Sequence, residues 1–204
     1  MNNQTNALEW HDEQLFYGIR IRAYFFDHEV VNKLTDFVNR QLPNFKRARP
    51  TLLFTENDRK NFVFGELIGQ PDAVLTHGDG LISLEYKYKS GRLYDKERWT
   101  RQIDLSSVLQ CIAGAMVVAG ETGKPTAAML RCHNVLYLLD PDQGVIDILG
   151  SQVSAAKEYW AEGRKVSISQ LAGHCEARIK KEFGVVNEAS SAAGMKAHEE
   201  MLRR

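Results

Sequence analysis

Two β-rich runs meet at His77-Gly78-Asp79-Gly80, and this turn constrains the chain more than any other stretch of it. Gly-Asp and Asp-Gly both tolerate the positive φ angles that a tight hairpin loop demands. A β-hairpin within residues 61–91 is therefore expected. In its second arm Leu81, Ser83, Glu85, Lys87 and Lys89 share one face by two-residue spacing, while Ile82, Leu84, Tyr86 and Tyr88 share the other. One face is charged and the other is apolar and aromatic.

The loop sets what faces what. If Gly78-Asp79 is the loop, Asp72 stands opposite Glu85; if Asp79-Gly80 is the loop, Asp72 stands opposite Lys87. Either way Asp72, Glu85 and Lys87 project from one face, whereas a three-residue loop would scatter them. Two carboxylates and an ammonium at a sheet edge suit a hard divalent cation, since Mg²⁺ keeps several waters and needs only one or two protein carboxylates. The lysine could orient or deprotonate an attacking water, or neutralise charge developing on a phosphate. Metal-assisted hydrolysis of a phosphodiester is the implied reaction. The plainer alternative is a hairpin whose charged face is solvated, with Glu85 and the lysines in weak surface pairs.

Pro71-Asp72, twelve intervening residues and then Glu85-Tyr86-Lys87 resemble the signature of the PD-(D/E)XK phosphodiesterase superfamily, the restriction-endonuclease-like nucleases. The resemblance extends over the hairpin and the helix and strand that follow it. It implies an α/β fold whose mixed central sheet contains the catalytic hairpin and is flanked by helices. It also implies that Asp72 and Glu85 hold Mg²⁺ or Mn²⁺, that the Tyr86 backbone carbonyl is a further ligand, and that Lys87 assists the attacking water on DNA. The first helix of that family often adds an acidic residue or a histidine, which nominates Glu13, with His11 beside it. In the RecB-like exonuclease branch a later helix carries Gln followed four residues on by Tyr. Here Ser106 follows Gln102 and Gly114 follows Gln110 at that distance, so Gln102 is carried only as a candidate substrate contact.

Charge limits how nucleic acid could be held. Lys plus Arg and Asp plus Glu both number 26, which offers no support for a generally basic, nucleic-acid-coating protein. Binding must use local patches, and Lys46, Arg47 and Arg49, in a loop punctuated by Pro50, are candidate phosphate contacts. The neutral balance also points to a homo-oligomer or a protein partner. A polar start and an apolar run, Val108 to Ala119, that is too short to span a bilayer lead to the expectation of a cytoplasmic protein with no membrane contact. Cys111, Cys132 and Cys175 read as reduced thiols, too few for the four-cysteine iron–sulfur cluster of some superfamily members.

The remaining pattern sketches one domain over 1–186 and a tail over 187–204, helical or disordered. Residues 8–42 read as helical with a break near Asp27, although Ile19 to Phe26 is also compatible with a strand. Phe62 to Ile68 reads as a strand carrying a secondary acidic candidate, Glu66. Lys96 to Ala119 reads as a helix, with Gln102, Ser106 and Gln110 as a polar stripe, closed by a cap and turn at Gly120 to Thr126. Strand material follows over Thr126 to Leu139, then a turn at Asp140 to Gly144 and a strand at Val145 to Leu149. Helices are expected from Ser151 to Glu162 and from Ser169 to Phe183. The competing functional class is a non-catalytic module on a nuclease-like scaffold, binding nucleic acid or protein; a phosphodiesterase acting on RNA or a small nucleotide differs only in substrate.

Overall fold

In the computed structural model, residues 9–25, 51–55, 61–65, 67–87, 103–132, 135–159 and 166–184 are described. They build a mixed α/β architecture. A seven-stranded sheet has the order β1-β2-β9-β8-β7-β6-β3, from β1 (Glu9–Phe16), β2 (Ile19–Phe25), β3 (Thr51–Thr55), β6 (Ala73–His77), β7 (Gly80–Lys87), β8 (Thr126–Cys132) and β9 (Val135–Pro141). All neighbours run antiparallel except β7 and β8, which are parallel. Parallel neighbours need a crossover, and the helix α1 (Leu105–Thr122) lies within it.

The segment read as helix at the N-terminus is instead a hairpin. Tyr17 and Gly18 take φ angles of 50° and 74°, the two positive values that a type I′ loop requires, and Phe16 pairs with Ile19. From there Ile19, Ile21 and Ala23 alternate with Arg20, Arg22 and Tyr24, so two-residue spacing prevails over helical spacing. The part of the expected helix after Phe25 lies outside the described residues. Within residues 44–60, the segment that carries the basic loop, Thr51–Thr55 is an edge strand against β6. Lys46, Arg47 and Arg49 lie outside the described residues.

The strand expected over Phe62 to Ile68 is broken. Gly65 at φ 58° turns the chain between β4 (Phe62–Phe64) and β5 (Leu67–Gly69), which join β10 (Val166–Ser167) in a separate three-stranded sheet. Helix α1 begins at Leu105, where Asp104 accepts hydrogen bonds from Ser107 N and Oγ at 3.3 and 2.9 Å. A carboxylate cap of this kind contributes about 1 kcal/mol. Expected to start at Lys96, the helix thus starts later, and it runs three residues past Ala119. Gly123, at φ 66°, closes it by donating its N–H to Ala119 O at 2.8 Å, which bears out the cap and turn.

Strand material at 126–139 divides into β8 and β9. The strand expected at Val145 to Leu149 is the first part of a helix, α2 (Gln143–Tyr159). Asp142 explains it. Its side chain accepts from Gly144 N and its carbonyl from Val145 N, and Val145, Ile148 and Leu149 then bury one side at helical spacing. A last helix, α3 (168–184), opens with reciprocal bonds between Ser167 and Gln170, a Ser-x-x-Gln capping box.

The core follows from strand alternation. On one face Ile21, Leu81, Leu130, Tyr137 and Leu139 pack with α1, α2 and α3; on the other Tyr24, Ile82, Met129, Leu136 and Leu138 form a second cluster. By length and hydropathy α1 could also cross a membrane, yet 56% of that span is buried inside the protein. It packs against β7 and β8 and also against β4 and β5. That position brings its second turn over the charged end of β7.

Candidate functional site

The hairpin at the heart of the sequence reading forms with Gly78-Asp79 as its loop. His77 pairs with Gly80 and Ala73 with Leu84, which makes Asp72 and Glu85 the next facing positions. Gly78 takes φ 59°, the positive angle required at the first loop position of a type II′ turn. Of the two registers, the one that sets Asp72 opposite Glu85 is adopted.

The charged face of β7 is not solvated. Ser83 and Glu85 are 2% and 6% exposed, because α1 lies over them. The helix backbone passes close to the strand at Gly114, where a Cβ would stand at ordinary contact distance, 3.7 Å from Ser83 Oγ and 3.5 Å from Ile168. The surface-hairpin alternative is therefore ruled out for this face.

Strand β6 stops at the site for a physical reason. Leu81 donates its N–H to Pro125 O beside β8, so odd-numbered residues of β7 turn their backbone polar groups toward β8 and even-numbered ones toward β6. Tyr86 therefore faces the β6 side. The rung joining positions 71 and 86 would need an N–H from residue 71, and proline has none. The ladder ends there, and Asp72 Oδ2 accepts the Tyr86 N–H at 2.5 Å. In an extended strand the carbonyl of a residue points to the same side as its N–H, so the Tyr86 carbonyl opens beside Asp72 without a ladder donor.

Glu85 and Lys87 meet α1 on the same face. Glu85 Oε1 accepts from Lys87 Nζ at 2.7 Å and from Gln110 Nε2 at 2.9 Å, while Lys87 Nζ also donates to Gln110 Oε1 at 3.0 Å. The three side chains close a triangle. Among the described residues, Glu85 Oε2 and Asp72 Oδ1 accept no hydrogen bond, and the third N–H of Lys87 has no protein acceptor.

Burial raises the Glu85 carboxyl above its ordinary pKa; the hydrogen bond from Lys87 opposes this, and the Asp72 charge adds to it. A cation held between the two carboxylates would relieve both the desolvation and the repulsion. Beside Glu85 on α1, the Cys111 thiol is fully buried and held well above its usual pKa, first by burial and then by the Glu85 charge. It stays a neutral thiol.

The donor set passes the chemical test for a hard cation: two carboxylate oxygens and one carbonyl oxygen at a strand end, all suited to Mg²⁺ or Mn²⁺. Among the described residues no group of three His, Cys, Asp or Glu side chains converges, so the remaining coordination positions would fall to water and substrate oxygens.

Other candidates fall elsewhere. Glu13 lies on β1 and not on a helix, with β2, β9 and β8 between it and β7, about 19 Å away at ordinary strand spacing. Its carboxylate pairs with Arg22 at 2.6 Å and Arg20 at 3.6 Å. It belongs to the sheet edge and is not part of this cluster. Gln102 and Glu66 lie outside the described residues. Gln110 is the member that the sequence reading did not nominate, and its signal was the single amide breaking the apolar run from Val108 to Ala119.

The chain matches no protein-family model, no curated protein and no solved structure.

Proposed function

We propose that the protein is a Mg²⁺- or Mn²⁺-dependent nuclease hydrolysing DNA phosphodiester bonds, built on a restriction-endonuclease-like core. The observation that carries this reading is the end of β7. Glu85 is buried there with its charge answered by Lys87, and the free oxygens of Asp72 and Glu85 and the Tyr86 carbonyl all lie where β6 breaks off.

In that reading Asp72, Glu85 and the Tyr86 carbonyl hold the cation, which supplies Lewis-acid polarisation of the phosphate when bound. Glu85 carries charge into a site sheltered by α1, where electrostatic effects are stronger than in water. Lys87, fixed by Glu85 and Gln110, directs its remaining N–H at the attacking water or at the phosphate oxygen that gains charge. A P–O bond forms to the water oxygen and the bond to the leaving sugar oxygen breaks; the water's proton passes to solvent, and the leaving oxygen takes a proton in turn. The burial of Glu85 under α1 favours this reading over an inert surface hairpin, because an unneeded buried carboxylate is costly.

The test is cleavage of linear duplex, circular duplex, single-stranded DNA and RNA in Mn²⁺ or Mg²⁺. Cutting that is lost both in EDTA and in Lys87→Ala supports the proposal, and the circular substrate separates endonuclease from exonuclease action. No cutting of any substrate, with no Mn²⁺ bound at Glu85, favours the non-catalytic scaffold.

A further inference from the structure

Tyr86 links the two faces of the sheet at the site. Its backbone N–H holds Asp72, while its side chain must point to the face opposite Glu85 and Lys87. On that face Ile82 is fully buried and Leu84 partly so, yet Tyr86 remains 39% exposed. Across the parallel rung stands Arg131, its guanidinium 5.3 Å from the centre of the Tyr86 ring.

Resting on the nuclease reading above, we infer that Tyr86, backed by Arg131, is a stacking platform for one unpaired base next to the scissile phosphate, so that the substrate is a single-stranded or frayed DNA strand. Two features of the site and one of the substrate support this. An aromatic ring paired with a guanidinium is the composition with which proteins hold single-stranded nucleic acid without reading its sequence. The ring belongs to the residue between Glu85 and Lys87 but stands on the opposite face, so a strand with its phosphate at those side chains reaches it by rounding the sheet where the β6 ladder stops. Finally, a base within a duplex is stacked on its neighbours and offers no free face.

The test is a cycle between protein and substrate. A single-stranded oligonucleotide carrying one abasic position, moved stepwise past the cleavage point, is compared in wild type, Tyr86→Ala and Tyr86→Phe, with melting temperatures recorded to confirm folding. The expected result is one position at which base removal raises KM about tenfold in wild type and in Tyr86→Phe, the equivalent of about 1.4 kcal/mol. In Tyr86→Ala the same removal should leave KM unchanged, because the partner ring is already absent. Equal losses in all three proteins, or no sensitive position, overturn the platform while leaving the nuclease intact. If wild type cuts no strand in Mn²⁺ or Mg²⁺, the nuclease reading fails and the platform with it.

Discussion

Gln110 and Lys87 meet at 3.0 Å across the gap between helix α1 and strand β7, and each also binds the same oxygen of Glu85. The amide thus braces both members of an ion pair whose own contact is 2.7 Å. Supporting groups of this kind usually change affinity or activity by about 10–100-fold when removed. Gln110→Ala is expected to lower kcat within that range, with less effect on cation affinity, because Glu85 Oε2 and Asp72 Oδ1 remain. Paired measurements of kcat and the Mn²⁺ dissociation constant check this; a fall in affinity alone would assign Gln110 to the cation instead.

Glu85 should oppose stability in the absence of metal. Its pKa is raised in the folded protein, chiefly by burial, above an unfolded value of about 4.3. The fold therefore favours the protonated form. The associated stability is fully present below the unfolded value and is lost as pH rises through the folded one. Glu85→Gln, neutral at every pH, should gain melting temperature over wild type in EDTA as pH rises from 4 to 7. A difference that is constant with pH would contradict the assigned direction.

Asp72 has two separable roles, and two substitutions divide them. Asp72→Asn keeps an oxygen to accept the Tyr86 N–H but loses the charge, so it should fold nearly as well as wild type and fail to cut DNA. Asp72→Ala also leaves that N–H without its acceptor and should cost about 1 kcal/mol more in urea denaturation. Equal stability of the two variants would mean that the hydrogen bond contributes nothing to the end of β6.

Asp72, Glu85 and Lys87 were legible in the sequence because they lie on one local hairpin, where a two-residue loop and strand alternation fix the faces. What was not legible is what covers that face. The burial of Glu85 depends on α1, which packs from outside the hairpin, so solvated and buried versions look alike in the sequence. Glu13 was misplaced because Glu9 to Phe16 carries good helix formers, and its decisive turn uses Tyr17 at a positive φ that few non-glycine residues adopt. Val145 to Leu149 misled for another reason. A short apolar run fits a strand or a buried helix equally well, and only the cap at Asp142 decides.

The C-terminal end of α1 carries its own test. A Cβ at Gly120 would lie 2.2 Å from the Phe64 ring, so Gly120→Ala must displace that ring from the helix and should cost about 1–3 kcal/mol. With Phe64→Ala in the background the obstacle is gone, and the greater helix propensity of alanine should make the same change stabilising by up to about 1 kcal/mol. Chemical denaturation of the four proteins reads this reversal of sign. Its absence would mean that Phe64 does not rest on the helix.

All of the proposed chemistry stands on Asp72 and Glu85 sharing one divalent cation. The most direct measurement is the melting temperature of wild type, Asp72→Asn and Glu85→Gln across a Mn²⁺ titration. At a hundredfold excess over the dissociation constant, binding to the folded form adds about 2.7 kcal/mol, or about 5–10 °C for a chain of this size. Wild type should show that saturable rise, and both variants should lose it. A rise of equal size in all three proteins would place the cation elsewhere, and no rise in wild type would contradict the metal site itself.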